Sequence, residues 1–331
     1  MKFSIRLNND LTIAEYIVLA QKAESLGFDQ FWISNDLFFR SAVAILSVLS
    51  TRTSSIHLGT CILNPYTMNP AEIAMAAGTL DELSEGRFIL GLSSGASSFL
   101  EWVGLKHDRP VAYLRECVKT IKALLNNEST TGGTNFLKWT EHSSLKFQVK
   151  HQVPVYVGGV GPNIQALAGE VADGLLPLLL PPESYYTARD NACRGMKRRQ
   201  SKDDRFDLVG SIWVSASSNL LAARNTLSLK IAYYGQAMNS GLLKDLGLTN
   251  DDFKPITQAL IVERDEKKAM ALVTDAMLKV GIVGGSAEII SRLEPLVASG
   301  MDHLSFGPPL GPDMEEALDI LGEVLDHFAN S

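Results

Sequence analysis

Five short segments of this sequence hold groups of the kinds that do chemistry, and each follows a short apolar run. The strongest is Gly158-Gly159-Val160-Gly161-Pro162-Asn163. Glycines placed directly before a helix leave backbone N–H groups open to surround an anion, and the positive end of the helix dipole favours negative charge there. The pattern fits the phosphate of a ligand and, equally, a tight strand-to-helix turn that binds nothing. Ser93-Ser94-Gly95-Ala96-Ser97-Ser98 is small and polar, suited to lending hydroxyls and amides to the same phosphate or to serving as a plain turn. Asn35-Asp36 supplies a carboxylate for proton handling and an amide for holding a ring. Its other use is as an Asx cap for the helix behind it. Arg6 suits a substrate anion or a salt bridge. The fifth segment is Cys61-Ile62-Leu63-Asn64-Pro65-Tyr66. Trp32 and Trp213 sit inside apolar runs, where core packing is the commoner use, and a strand-end Trp213 also suits the wall of a ring pocket.

The elements that must position these groups alternate along the whole chain. Lys2 to Leu7 reads as a strand, Thr12-Ile13-Ala14-Glu15 as a capping box and Gly27 as a helix C-cap. Strands are expected at residues 31–34, 56–61, 88–92, 153–157, 174–178, 208–214 and 303–306. The helices between them are expected at residues 41–52, 111–125, 162–171 and 182–200, with Asn69-Pro70 as N-cap and first position of another. Two more close the chain, at 287–299 and 313–328. Such alternation predicts a parallel α/β sheet, and about eight strands is the number a closed (β/α)8 TIM barrel requires. A doubly wound open sheet would place Gly-x-Gly-x-x-Gly after the first strand, where Asn8-Asn9-Asp10 stands instead. The expected organisation is one barrel domain over residues 1–331. It carries a polar excursion at about 126–150, interrupted by Gly132-Gly133, and a largely helical insertion at about 219–280. In such a barrel, function sits just past the C-terminal strand ends, where all five segments lie.

Composition removes several function classes. The 30 Lys and Arg against 37 Asp and Glu give a net charge of −7, which offers no broad basic field for nucleic acid or anionic lipid. No run is long enough to span a bilayer, and the opening residues lack the organisation of a signal peptide, so a cytoplasmic protein with no membrane partner is expected. Three scattered cysteines, Cys61, Cys117 and Cys193, make neither a disulfide framework nor a Cys-x-x-Cys site. No His-Glu-x-x-His motif, no His and carboxylate cluster and no Gly-x-Ser-x-Gly elbow occurs, so no metal site or serine nucleophile is expected.

Longer stretches carry a family resemblance over nearly the whole chain. They are Leu58-Gly59-Thr60-Cys61-Ile62-Leu63-Asn64-Pro65-Tyr66-Thr67, Thr79-Leu80-Asp81-Glu82-Leu83-Ser84-Glu85-Gly86-Arg87, residues 153–162 with 168–174, and Phe306-Gly307-Pro308-Pro309-Leu310-Gly311-Pro312-Asp313. In these the sequence resembles the luciferase-like hydride transferases that use the deazaflavin coenzyme F420, most closely the methylenetetrahydromethanopterin reductase group. The resemblance implies a non-prolyl cis peptide between Cys61 and Ile62, in a bulge on which the cofactor's central ring rests. It implies a cofactor site of Cys61, Ile62, Leu63, Asn64, Gly95, Ala96, Gly158, Gly159, Val160, Gly161, Pro162 and Asn163. Asp36, with Asn35, becomes the candidate for proton transfer, and Arg6 and Trp213 become candidate substrate contacts. Hydride then passes between deazaflavin C5 and a small organic electrophile. The group has an acidic residue where Arg6 stands, and commonly Asp-His where Asn35-Asp36 stands, so the small-molecule substrate is left open. The same family includes FMN-dependent monooxygenases and non-catalytic flavin-binding partner subunits, and its habit is the homodimer.

Overall fold

The computed structural model describes residues 1–130, 135–199, 205–238 and 240–330. Gly132-Gly133 and the expected helix end at Gln200 lie outside them. The chain groups into two compact units, one of Ser4–Leu178 with Thr187–Val209, the other of Met1–Phe3, Leu179–Tyr186 and Gly210–Ser331.

The first unit is a parallel sheet crossed by helices. Its strands are β1 (Lys2–Leu7, in this unit from Ser4), β2 (Gln30–Ile33), β3 (His57–Thr60), β4 (Phe88–Leu92), β5 (Val155–Gly158) and β6 (Gly174–Leu176). A two-residue β7 (Leu178–Leu179) precedes β8 (Asp207–Leu208). Strands β1 to β6 pair in sequence order and β6 pairs with β8, every pair parallel. Parallel neighbours put every strand-to-helix loop on the same edge, which is why segments far apart in sequence meet there. The crossovers are α1 (Ile13–Ser25), α2 (Ala42–Ser50), α3 (Pro70–Leu83), the short α4 (Ser97–Glu101) with α5 (Pro110–Leu125), and α6 (Pro162–Val171). The Thr12 and Glu15 capping box forms, and Asn69 caps α3 with Pro70 at its first position. Residues 126–130 and 135–154 hold no helix or strand.

The turn into β3 is clamped from both sides. The N–H groups of Ser54, Ser55 and Ile56 donate to the Glu24 carboxylate at 2.8, 2.6 and 3.0 Å. Its carbonyls are taken by Arg87, whose guanidinium donates to Ser50 O, Thr53 O and Ile56 O at 2.8–3.1 Å. Gly86, at φ +86°, turns the chain into β4 where a Cβ would come 2.9 Å from the His151 ring, and His151 in turn meets buried Asp81 at 3.0 Å. The Asp81 to Arg87 stretch is thus architecture that fixes where β3 and β4 begin.

In the second unit, β9 (Gly210–Ile212) pairs with β12 (His303–Phe306), and β10 (Val214–Ala216) pairs with β11 (Ile282–Gly284), both parallel. The single strand expected at residues 208–214 is therefore divided. Leu208 registers with Leu175, Ser211 with Ser305 and Ser215 with Val283, so the segment changes partner at each break. Between β10 and β11 the described residues form only helices, opening with α7 (Leu220–Tyr234) capped by Asn219. Among the described residues no helix is long and apolar enough to cross a membrane.

Candidate active site

The third strand stops one residue before Cys61, short of the expected residues 56–61, because the chain bulges there. Gly59 registers with Ile89 and Leu63 with Leu92, so four steps on one strand match three on the other: one extra residue, a β-bulge. Thr60 bridges the gap. Its hydroxyl accepts from Gly91 N–H at 3.0 Å and donates to Gly91 O at 3.1 Å, while Leu63 N–H rejoins the ladder at Gly91 O, 2.9 Å away. Only glycine fits at 91, since a Cβ would stand 2.0 Å from Thr60 O. The Cys61–Ile62 peptide in this bulge is cis, as the resemblance implied.

Cys61 and Ile62 rest on a floor of Trp32, Ile89, Tyr156, Leu176 and Val209. Trp32 lies across Gly59, where a Cβ would be 2.2 Å from the indole, and its Nε1 donates to Gln30 Oε1 at 3.0 Å. Trp32 is therefore core, and it shapes the site from beneath.

The segments assigned to the cofactor are contiguous. A Cβ on Gly158 would meet Ile62 Cγ2 at 2.9 Å and Ser93 Cβ at 3.6 Å, so the ends of β3, β4 and β5 touch. Asn64 joins the next loop: its Nδ2 donates to Ser94 O at 3.1 Å, its Oδ1 accepts from Tyr66 N–H at 2.9 Å, and Gly95 sits at φ +68° against that amide. Both ends of the Asn64 side chain hold backbone, which makes it the brace of this rim. Ala96 begins α4 with no side-chain cap.

The glycine-rich turn differs from expectation in its reasons. Gly159 is required because a Cβ would strike Ile164 at 2.3 Å, and neither it nor Gly161 needs positive φ. Gly161 is the N-cap of α6 at φ −79°, ψ 146°, with no side-chain cap and nothing within 4 Å of a Cβ. The first turn of a ten-residue helix thus opens into space beside Val160 and Asn163, both exposed.

Arg6, only 6% exposed, lies beside the Cys61 thiol, whose contact and charge favour its charged form. Burial lowers the Arg6 pKa against that contact, and burial likewise raises the Cys61 pKa, Arg6 opposing and the Asp36 charge reinforcing the rise. Arg6, Asp36 and Cys61, from the ends of β1, β2 and β3, are therefore one cluster. Asn35 takes the Asx role, its Oδ1 accepting from Ala42 N–H at 3.0 Å at the start of α2. Trp213 lies in the second unit, buried edge-on to Tyr234 with the Lys230 ammonium 5.5 Å from its ring centre. Among the described residues no cluster of metal-ligating side chains occurs.

Asn9 was missed by sequence reasoning, although Asn8-Asn9-Asp10 stood at a strand end. Buried, it donates to Asp36 O at 3.0 Å and Arg40 O at 2.6 Å and accepts from Asp36 N–H at 3.2 Å, fastening the loop that carries Asp36.

Parallel strands with a bulge, an open helix start and a buried charged cluster gathered past their carboxyl ends define an α/β protein of the strand-end ligand-binding class. The luciferase-like monooxygenase family matches residues 1–303, and the chain belongs to it. It is 28% identical to 5,10-methylenetetrahydromethanopterin reductase of Archaeoglobus fulgidus over 98% of both chains, and 30% identical to that of Methanolobus tindarius over 95% of both. The structure of the coenzyme F420 dependent tetrahydromethanopterin reductase from Methanopyrus kandleri matches with a TM-score of 0.90 at 25% identity, covering 99% of each chain.

Proposed function

We propose that this protein is an F420-dependent oxidoreductase of the methylenetetrahydromethanopterin reductase kind, acting on a small organic electrophile. The observation that carries the reading is the contiguity of the bulge at residues 61–64, the loop at 93–96 and the uncapped start of α6. Together they offer a wall and an anion cradle on one rim. The reductase relatives support the choice of deazaflavin over FMN, and the match to the Methanopyrus kandleri structure supports a closed (β/α)8 barrel in a single domain. Homodimer assembly belongs to the same reading.

When bound, the deazaflavin supplies hydride chemistry at C5; the protein supplies position and proton handling. The N–H groups of Val160, Gly161, Asn163 and Ile164 would hold the phosphate, with the α6 dipole favouring its charge. Gly95 and Ala96 lend backbone to the phosphate side. Cys61, Ile62 and Leu63 form the wall for the ring, kept in place by Thr60 and by the hydrophobic floor. Arg6 fixes Cys61 from below and sets a positive charge at the substrate end. Asp36, locked by Asn9, gives or takes the proton, and Asn35 steadies it through α2.

Gly161→Asp tests the phosphate cradle. Aspartate is a stronger N-cap than glycine and fits this backbone conformation, so the fold holds or gains stability. The new carboxylate faces the anion, so F420 affinity, read by fluorescence titration, falls at least ~10-fold, most at low salt. Unchanged affinity would overturn the assignment, as would a parent protein that binds FMN and ignores F420.

A further inference from the structure

The excursion between α5 and β5 has no part in the proposed reaction, yet one end of it reaches the cofactor wall. The N–H groups of Phe136 and Leu137 donate to the Glu116 carboxylate of α5 at 2.9 and 2.6 Å. This pair of bonds lays the Phe136 ring edge-on to Tyr113, about one turn earlier on the same helix, with centres 5.6 Å apart. The Arg109 guanidinium, just before that helix, lies 4.7 Å from the centre of the Phe136 ring. Tyr113 also meets Tyr66, with ring centres 4.5 Å apart, and Tyr66 meets His107 at 5.4 Å. Phe136, Tyr113, Tyr66 and His107 thus form a row from the excursion to the bulge loop and on to the connection leaving β4.

Two hydroxyls in the middle of this row hold backbone. Tyr113 Oη donates to Pro65 O at 3.0 Å, and Tyr66 Oη donates to Asp108 O. The first bond matters because Pro65 directly follows Asn64 and has no N–H, so its carbonyl is the backbone group by which that residue can be tied. The residues before it are fixed from beneath by the hydrophobic floor and, at Asn64, by the bonds to Ser94 and Tyr66. Tyr113 fixes the far end. The second bond ties the same loop to the stretch joining α4 to α5, and α4 begins at Ala96 on the proposed phosphate side. A shift of Tyr113 therefore reaches both loops assigned to the cofactor. Tyr113 is only partly buried, so the rings beside it set its aim.

We infer that Tyr113 is a positioning residue for the cofactor wall and that the excursion holds it in place through Phe136. The inference deepens the reading above and rests on it, since it takes residues 61–64 as that wall. Both side chains act through Pro65 and take no part in hydride or proton transfer.

Tyr113→Phe removes the hydroxyl and keeps the ring, while Phe136→Leu keeps apolar bulk and removes the ring. The control is Phe147→Leu, at the other end of the excursion, where a Cβ on Gly78 of α3 would come 2.9 Å from the Phe147 ring. Urea unfolding grades the loss of stability in all three variants. Fluorescence titration with F420 and the absorption spectrum of the bound cofactor report on the wall. Both stack variants should weaken F420 binding by about 3-fold or more and shift the bound spectrum, while Phe147→Leu changes neither. Parent-like affinity and spectrum in either stack variant, or a weakening in Phe147→Leu as large as theirs, overturns the positioning role. A parent protein that does not bind F420 sinks the functional reading instead. The positioning is then decided on the unloaded protein by the alkylation rate of Cys61, resolved from Cys117 and Cys193 by peptide mass spectrometry. A several-fold change in the two stack variants and not in Phe147→Leu supports it, and an unchanged rate refutes it.

Discussion

Glu24→Gln tests whether charge holds the turn that launches β3 toward the bulge. One carboxylate oxygen accepts from three consecutive backbone N–H groups at 2.6–3.0 Å and from the Ser55 hydroxyl at 3.1 Å. Burial alone pushes this carboxyl upward, but the four donors outweigh it and hold the pKa at about 2, against an ordinary 4.5. At about 1.36 kcal/mol per pH decade the difference is worth ~3 kcal/mol, which solvent screening at this partly exposed side chain reduces to ~2 kcal/mol. The folded value lies below the unfolded one. The stabilisation is therefore fully present above about pH 4.5 and is lost as pH falls through the folded value near 2. Glutamine keeps the shape and removes the charge. Urea unfolding at neutral pH should show the variant less stable by ~2 kcal/mol, and the gap should narrow steadily as the pH is lowered below about 4.5. No loss at neutral pH, or a gap indifferent to acid, would refute the reasoning.

Two further outcomes follow from the bulge. Thr60→Val leaves the buried Gly91 N–H without its partner, while Gly91 C=O keeps Leu63 N–H, so unfolding should be easier by ~1–3 kcal/mol and F420 affinity should fall with it, whereas Thr60→Ser should retain both. Arg6→Met removes the positive charge that opposes the upward shift of the Cys61 thiol. In a Cys193→Ser background, alkylation of Cys61 at mildly alkaline pH should therefore slow several-fold; an unaltered rate would show that Arg6 does not contact the sulfur in solution.

The sequence alone determined what is set within a few residues. The Thr12 and Glu15 box and the Asn69-Pro70 start depend on local hydrogen bonds, and these helix starts form where their residues predict. The same locality placed the rim segments, because parallel strands deliver every following loop to one edge. What only the tertiary structure decided is which distant group each side chain meets. Arg6 finds a thiol because the β1, β2 and β3 register brings Cys61 beside it, and Asn35 caps a helix because α2 starts within its reach. Gly158 and Gly159 are glycines to admit Ile62 and Ile164. Phe38 faces water because Asn9 locks the loop from a neighbouring strand. Local propensity encodes conformation, whereas the partner of a polar side chain is fixed by register and packing between segments far apart in the chain, and no window of sequence carries that distance.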